Sequence, residues 1–183
     1  MISAKTLAKY LIYLMRKIQG KDYDLTPMKL QKLLYYCQGY SLALTGKPIF
    51  AEPIEAWEHG PVVDSVYQEY KKYRDNIIPV AEINEVNGID ETIESVAQMV
   101  VDEKKWFSGY ALSNATHKET PWLDTFGREA IFHNDVISNE KIKKFFSDEF
   151  SKWEESEDEE DSFWLSKGKT LSRERLEAAL AEL

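Results

Sequence analysis

The segment from Thr26 to Gly46 constrains the fold most, because it predicts one long helix with clear limits. Thr26 is a residue type that caps helices, Pro27 suits the first helical position, and Gly46 suits the C-terminal stop. Five apolar residues between these limits trace one buried stripe: Leu30, Leu33, Leu34, Cys37 and Leu44. Three tyrosines lie beside the stripe and widen it: Tyr35, Tyr36 and Tyr40. We expect this helix to pack on the core through that face.

Further helices are predicted in the first half of the chain and just beyond it. Ser3 can cap a first helix that runs to about Ile18, and Val62-Val63 leads into a helix through about Arg74. Asp90 can cap another helix. Its predicted inner face consists of Ile93, Val96, Ala97, Val100 and Phe107.

Two more helices are predicted before residue 153. A short one spans about Leu112–Lys118 and is ended by Pro121, because residues before a proline avoid the helical region. Asn139 can cap the other. Its apolar face is predicted to carry Ile142, Phe145, Phe146, Phe150 and Trp153.

The remaining segments indicate a small amount of β-structure. Residues 49–57 combine two prolines with short apolar runs, which is typical of edge strands or an extended loop. His59-Gly60-Pro61 predicts a turn, and residues 77–86 could hold a short strand. The predicted fold class is therefore mainly α (α+β), a compact helical domain with a small β-sheet or hairpin.

The C-terminal segment differs in composition from the rest. Seven of the nine residues 154–162 are carboxylates, so this run repels itself and predicts a solvated linker. Ser172 can cap a short amphipathic helix after it. The predicted organisation is a domain at 1–153, an acidic linker at 154–170 and a helix at 171–183. So short a helix needs a surface, which could be its own domain, a second copy of the chain or another protein.

Cysteine content and hydropathy suggest where the protein works. Cys37 is the only cysteine, so no intramolecular disulfide can form, and the reducing cytoplasm is the expected location. No stretch approaches the roughly 18 apolar residues that a membrane helix requires. Lysine and arginine interrupt the apolar residues of the N-terminus, which reads as an amphipathic helix rather than a signal peptide.

The charge distribution argues against nonspecific nucleic-acid binding. The formal net charge is −9, whereas binding to phosphates requires a cationic surface. Residues 1–32 are an exception, with seven basic and two acidic side chains. These basic residues could face an acidic partner or form the solvated side of a helix.

No pattern of catalytic or metal-binding residues is present. The chain has three histidines: His59, His117 and His133. None is paired with another histidine or a cysteine at metal-ligand spacing. Gly46-Lys47 is not the end of a phosphate-binding loop, since Ser41 and Pro48 occupy positions that require glycine and Ser/Thr. We therefore expect no enzyme activity, no metal and no cofactor.

Two segments are unusually dense in polar and aromatic groups, namely residues 57–63 and 113–122. The simplest interpretation is structural. The first would be a turn whose imidazole bonds local backbone carbonyls, and the second a helix end closed by Pro121 and Trp122. The alternative is that His59 and His117 serve function directly.

These two segments also carry a resemblance to a known family. Residues 25–36 (LTPMKLQKLLYY) and 53–63 (PIEAWEHGPVV) resemble the Panacea domain, typified by SocA-like antitoxins and widespread in bacterial and prophage genes. Residues 112–122 resemble its second signature and 136–142 its closing helix. The resemblance spans roughly residues 3–150, and residues 151–183 have no counterpart in it. The signature residues, expected to form a framework or to contact a toxin, are Thr26, Pro27, Lys29, Leu30, Gln31, Lys32, Tyr35, Tyr36, Trp57, His59, Gly60, Pro61, Val62, Tyr67, Ser113, Thr116, His117, Pro121 and Trp122.

The resemblance implies a non-enzymatic antitoxin that neutralises a cognate protein toxin by direct binding. It also implies a second possibility, an adaptor that delivers a bound protein to an ATP-dependent protease. A nucleic-acid-binding regulator using residues 1–32 is a third hypothesis. Six tyrosines exceed what a core of this size needs, so we expect some of them to face outward for binding: Tyr35, Tyr36, Tyr40, Tyr67, Tyr70 and Tyr73.

Overall fold

The computed structural model describes residues 1–80, 86–126 and 135–155, with side chains described through residue 152. Seven α-helices lie within these residues: α1 (Ala4–Gln19), α2 (Pro27–Thr45), α3 (Asp64–Tyr70), α4 (Glu91–Lys104), α5 (Gly109–Thr116), α6 (Thr120–Phe126) and α7 (Asn139–Glu155). Two short 3-10 helices follow α1 and α3, at Gly20–Asp22 and Lys71–Tyr73. The predicted mainly helical class is confirmed. None of the described helices combines the length and apolar character that crossing a membrane requires.

Helix α2 lies at the centre of the fold. Every residue from Lys29 to Leu42 is buried, and α1, α4, α5 and α7 all pack against it. A helix that is covered on all sides must carry side chains that can be buried around its whole circumference. The predicted single stripe was therefore too narrow, and Leu44, which we placed in it, is only partly buried.

Three predicted helix starts are confirmed by their cap hydrogen bonds. The side chains of Ser3, Thr26 and Asp90 accept from backbone N–H groups of the first turn in α1, α2 and α4. Each cap satisfies a donor that has no partner within the helix. Gly46 follows α2 in the left-handed conformation, as predicted.

Other boundaries differ from the prediction. Pro121 does not end the short helix, because α5 stops at Thr116 and Pro121 is the second residue of a separate helix, α6. Proline fits there because N–H groups of a first helical turn need no intrahelical partner. The cap of α7 is Ser138 rather than Asn139, since the hydroxyl of Ser138 accepts from Lys141 N at 3.3 Å.

The β-structure is a three-stranded antiparallel sheet made of β1 (Ile54–Trp57), β2 (Gly60–Val62) and β3 (Val136–Ile137). Strand β1 is central, pairing Glu55 with Val62 on one side and with Val136 on the other. The predicted small sheet is confirmed, but β1 is not an edge strand. The strand suggested at 77–86 is absent from 77–80 and 86, and 81–85 lie outside the described residues.

Helix α7 crosses α2 at Gly39. A Cβ atom there would overlap the ring of Phe146, so the close approach of the two helices depends on glycine. Ile142 and Phe146 are buried as predicted, and Phe145 and Phe150 are partly buried. Trp153 and the helix at 171–183 lie outside the described side chains, while α7 continues two residues into the predicted linker, to Glu155.

Candidate functional site

The hairpin formed by β1 and β2 is held by polar side chains of α2. Gln31 accepts from Val63 N at 2.8 Å and donates to Val63 O at 3.3 Å, so its amide pairs with the backbone as a neighbouring strand would. The next residue, Lys32, donates from Nζ to Pro61 O at 3.0 Å. All of these groups are buried, where an unpaired backbone group would cost about 1–3 kcal/mol.

The second signature segment holds the same hairpin from another side. Ser113 Oγ of α5 donates to His59 O at 2.8 Å, and Trp122 Nε1 of α6 donates to Trp57 O at 2.9 Å. The carbonyl groups of residues 57, 59, 61 and 63 thus all accept from side chains of other elements. We call these side chains the four donors: Gln31, Lys32, Ser113 and Trp122. The two signature segments, distant in sequence, converge on one hairpin backbone.

Gly60 completes this contact. Its φ of 95° lies in the left-handed region that favours glycine. A Cβ atom at this position would lie 2.6 Å from Thr116 Oγ1 and 2.9 Å from Lys32 Nζ. Both the backbone conformation and the space therefore require glycine.

A group of ionisable and hydroxyl side chains lies next to Lys32. Tyr36 donates to Glu119 Oε1 at 2.9 Å. Burial lowers the pKa of Lys32 to about 7, although the Glu119 carboxylate opposes the change. Burial raises the pKa of Glu119, and the hydroxyl groups of Tyr35 and Tyr36 oppose that rise. Lys32 is 1% exposed and bonded to a carbonyl, so it stabilises the framework and is not available to solvent.

The two histidines singled out from sequence have different environments. The His117 ring lies against that of Trp122, with centroids 4.3 Å apart and planes tilted by 32°. Burial, with the nearby charge of Lys32, lowers the pKa of His117. The side chain of His59 is exposed, and the framework uses its carbonyl group rather than its imidazole. His133 lies outside the described residues. Within the described ranges, no three His, Cys, Asp or Glu side chains are grouped so that they could hold a metal ion.

The start of the first signature lies in the first turn of α2, just before Gln31 and Lys32. Lys29 is fully buried, and its Nζ donates to Asp24 Oδ1 and to Lys105 O, both at 2.7 Å. Gln19 Nε2 donates to the same Lys105 carbonyl at 2.9 Å. This end of the signature therefore fixes the turn that joins α4 to α5.

That turn and the first residues of α5 carry three exposed aromatic side chains. Trp106, Phe107 and Tyr110 are 69%, 50% and 71% exposed, and we call these three residues the aromatic turn. Phe107 was wrongly predicted on the inner face of α4, because the helix ends at Lys104 before reaching it. Sequence analysis did not single out Trp106 or Tyr110. The available signal was three aromatic residues in five directly after a helix end.

Four of the six tyrosines, among which we expected some to face outward, are internal. Tyr35, Tyr36, Tyr40 and Tyr70 are buried. Tyr67 is half-buried against Trp57, with ring centroids 4.9 Å apart, and Tyr73 is also half-buried. Three of the four buried rings lie on α2, which is enclosed by other helices, so the outward-facing side chains that we expected among the six tyrosines are confined to the partly exposed Tyr67 and Tyr73.

Most remaining signature residues also belong to the framework. Leu30, Val62 and Pro121 are buried, and Thr26 and Pro27 form the start of α2. Trp57 is half-buried, and its indole Nε1 donates to Glu55 at 2.8 Å. The signature residues that lie against the hairpin are Gln31, Lys32, Tyr67, Ser113, Thr116 and Trp122, whereas Thr26 and Lys29 lie against the turn that joins α4 to α5.

Comparison with known proteins agrees with this distribution. The model of the family described as antitoxin SocA-like, Panacea domain, matches residues 30–123, just over half of the chain. This range begins one residue before Gln31 and ends one residue after Trp122, so it contains all four donors and the hairpin they hold. Comparisons with curated proteins and with solved structures found no match. The chain therefore belongs to the SocA-like antitoxin family that is defined by the Panacea domain.

Proposed function

We propose that this protein neutralises a cognate protein toxin by binding it directly, without enzymatic turnover. Membership of an antitoxin family is the observation that carries the proposal. The geometry supports it, because the polar signature side chains are engaged in holding the backbone while exposed aromatic side chains remain for contact with a partner. Aromatic residues are enriched among the side chains that dominate protein–protein binding energies.

The cytoplasm is the proposed place of action. Cys37 is fully buried in α2, and burial raises the pKa of its thiol, which keeps it protonated and unreactive. The net charge of −9 favours a basic protein partner over nucleic acid.

The proposal is tested by growth rescue. The open reading frame adjacent to this gene is expressed alone and then together with this chain. We expect the neighbour alone to arrest growth and co-expression to restore it, with both proteins recovered in one complex. A harmless neighbour, or rescue without a physical complex, would contradict neutralisation by binding.

A protease adaptor would share the binding step but act through degradation. Toxin levels during rescue separate the two functions. Direct neutralisation predicts that the toxin persists in the complex, whereas an adaptor predicts that it disappears in cells with an active ATP-dependent protease.

A further inference from the structure

We propose that the aromatic turn is the surface that contacts the toxin, an inference that rests on the proposed antitoxin function. Trp106, Phe107 and Tyr110 lie within five residues and are each at least half exposed. Tryptophan and tyrosine are the residue types most enriched among side chains whose truncation strongly weakens protein complexes. Burial of these exposed rings against a partner would be favourable, since it removes apolar surface from water.

The backbone on the N-terminal side of the turn is fixed by buried groups. The carbonyl of Lys105, directly before Trp106, accepts from Lys29 Nζ at 2.7 Å and from Gln19 Nε2 at 2.9 Å. Lys29 is fully buried, and Gln19 is 5% exposed. Two charged or polar side chains are thus buried to hold one carbonyl group. The hydrogen bond from Lys29 is charge-assisted, and such bonds are stronger than neutral ones.

The backbone on the C-terminal side is fixed as well. Ser108 caps α5 by accepting from Ala111 N at 3.1 Å. Gly109 lies so close to the start of α2 that a Cβ atom would be 2.9 Å from Lys29 N. The three rings are therefore presented from a backbone that is already ordered. A partner does not have to order that backbone, which lowers the entropic cost of binding.

The rings themselves and the net charge of the chain indicate the chemistry of the partner surface. Asp24, although its side chain is 45% exposed, is ion-paired with Lys29 at 2.7 Å and accepts from Gln19, so its charge is locally neutralised. Lys105 Nζ is paired with Asp102 at 2.8 Å, so this cation is locally neutralised. Ring faces attract arginine and lysine, and the chain as a whole carries −9. The partner surface that fits is an apolar recess bordered by basic side chains.

The inference is tested with the purified product of the adjacent toxic reading frame as the probe. Affinity is measured for the unaltered full chain, for Trp106→Ala, for Tyr110→Ala and for the double variant. We expect the double variant to bind at least about 30-fold more weakly. Val136→Ala is the control, because Val136 is an apolar side chain that is 56% exposed and lies on β3, outside α4, α5 and the turn between them. It should change affinity less than about 3-fold.

Melting curves accompany each measurement, since substitutions at exposed positions leave stability nearly unchanged. Unaltered affinity of a folded double variant would overturn the inference while leaving the antitoxin function in place. Failure of the unaltered chain to bind the probe would instead overturn the proposed function.

The accessibility of Trp106 to a fluorescence quencher tests whether the chain's own residues or a second copy cover this surface. Its contribution to fluorescence is the difference between the unaltered chain and Trp106→Phe. We expect acrylamide to quench this contribution strongly in the isolated protein and weakly in the complex. Weak quenching in the isolated chain at every concentration would assign the surface to the chain's own residues. Quenching that strengthens on dilution would assign it to a second copy. Either result overturns the inference.

Discussion

Gly60 is the residue at which the hairpin is most sensitive to substitution. Gly60→Ala should lower the free energy of unfolding by about 2–4 kcal/mol, because it adds left-handed strain and displaces Thr116 and Lys32. Gly20→Ala is the control, since Gly20 also has a positive φ, of 56°, but nothing lies within 4 Å of its Cβ position. That variant should lose only about 1–2 kcal/mol.

Urea denaturation of both variants checks this prediction. Alanine stiffens the unfolded chain in both cases, so that effect cancels in the comparison. Equal losses in the two variants would show that contact with Thr116 and Lys32 adds nothing to the strain.

The signature residues could be identified from sequence, but not the burial of two of them. Lysine is almost never fully buried unless it is paired. Lys29 and Lys32 are buried because Asp24 and the carbonyls of Lys105 and Pro61 accept from them. Two of these three acceptors come from distant parts of the chain, so no local pattern announces them. The four donors were likewise found as a motif, whereas their common role required the path of the hairpin backbone.

Among the secondary-structure elements, the crossing of α2 and α7 tests whether close packing or helix propensity decides the effect of a substitution on stability. Alanine exceeds glycine in helix propensity by about 1 kcal/mol. Gly39→Ala should nevertheless destabilise the protein by about 1–2 kcal/mol, because the added methyl group overlaps the ring of Phe146. That ring is held among Tyr35, Tyr36 and Tyr40, so it cannot move aside freely.

A double-mutant cycle with Phe146→Leu measures this conflict. In the Phe146→Leu background, Gly39→Ala should become neutral or stabilising, since the overlapping ring is gone and the propensity gain remains. Strictly additive losses in the cycle would mean that the two positions do not compete for space.

Helix caps were predictable because they depend on residues three positions apart, and Ser3, Thr26 and Asp90 all act as expected. Errors arose where tertiary packing decides. Pro121 signals a helix stop and a helix start equally well, and only the path after Thr116 shows which applies. The central position of β1 depends on its pairing with β3, which lies about eighty residues further along the chain.

For the molecule as a whole, the buried Lys32 predicts how stability depends on pH. Its pKa of about 7 in the folded protein lies below the ordinary value of 10.5 that applies to the unfolded chain. Between these values the unfolded state binds more protons, so the free energy of unfolding should rise with pH. The slope from this residue is at most about 1.4 kcal/mol per pH unit.

Denaturation of the unaltered chain and of Lys32→Met at pH 7, 8 and 9 isolates this contribution. As pH rises, the free energy of unfolding of the unaltered chain should increase relative to that of Lys32→Met. Burial raises the pKa of Cys37, so above about pH 9 its thiol ionises only in the unfolded chain and lowers the free energy of unfolding. Both proteins contain Cys37, so this effect cancels in the difference between them. Parallel profiles would show that Lys32 titrates in the folded protein as it does in water.

The four donors form their hydrogen bonds with backbone carbonyl groups, and this has an evolutionary consequence. Every residue type has the same backbone carbonyl group. Substitution of a side chain therefore does not remove the acceptors at Trp57, His59, Pro61 and Val63. The Lys105 carbonyl beneath the aromatic turn is held in the same way. Where space and backbone conformation permit, the side chains on these segments can therefore change over evolution while the same few donors keep the backbone in place.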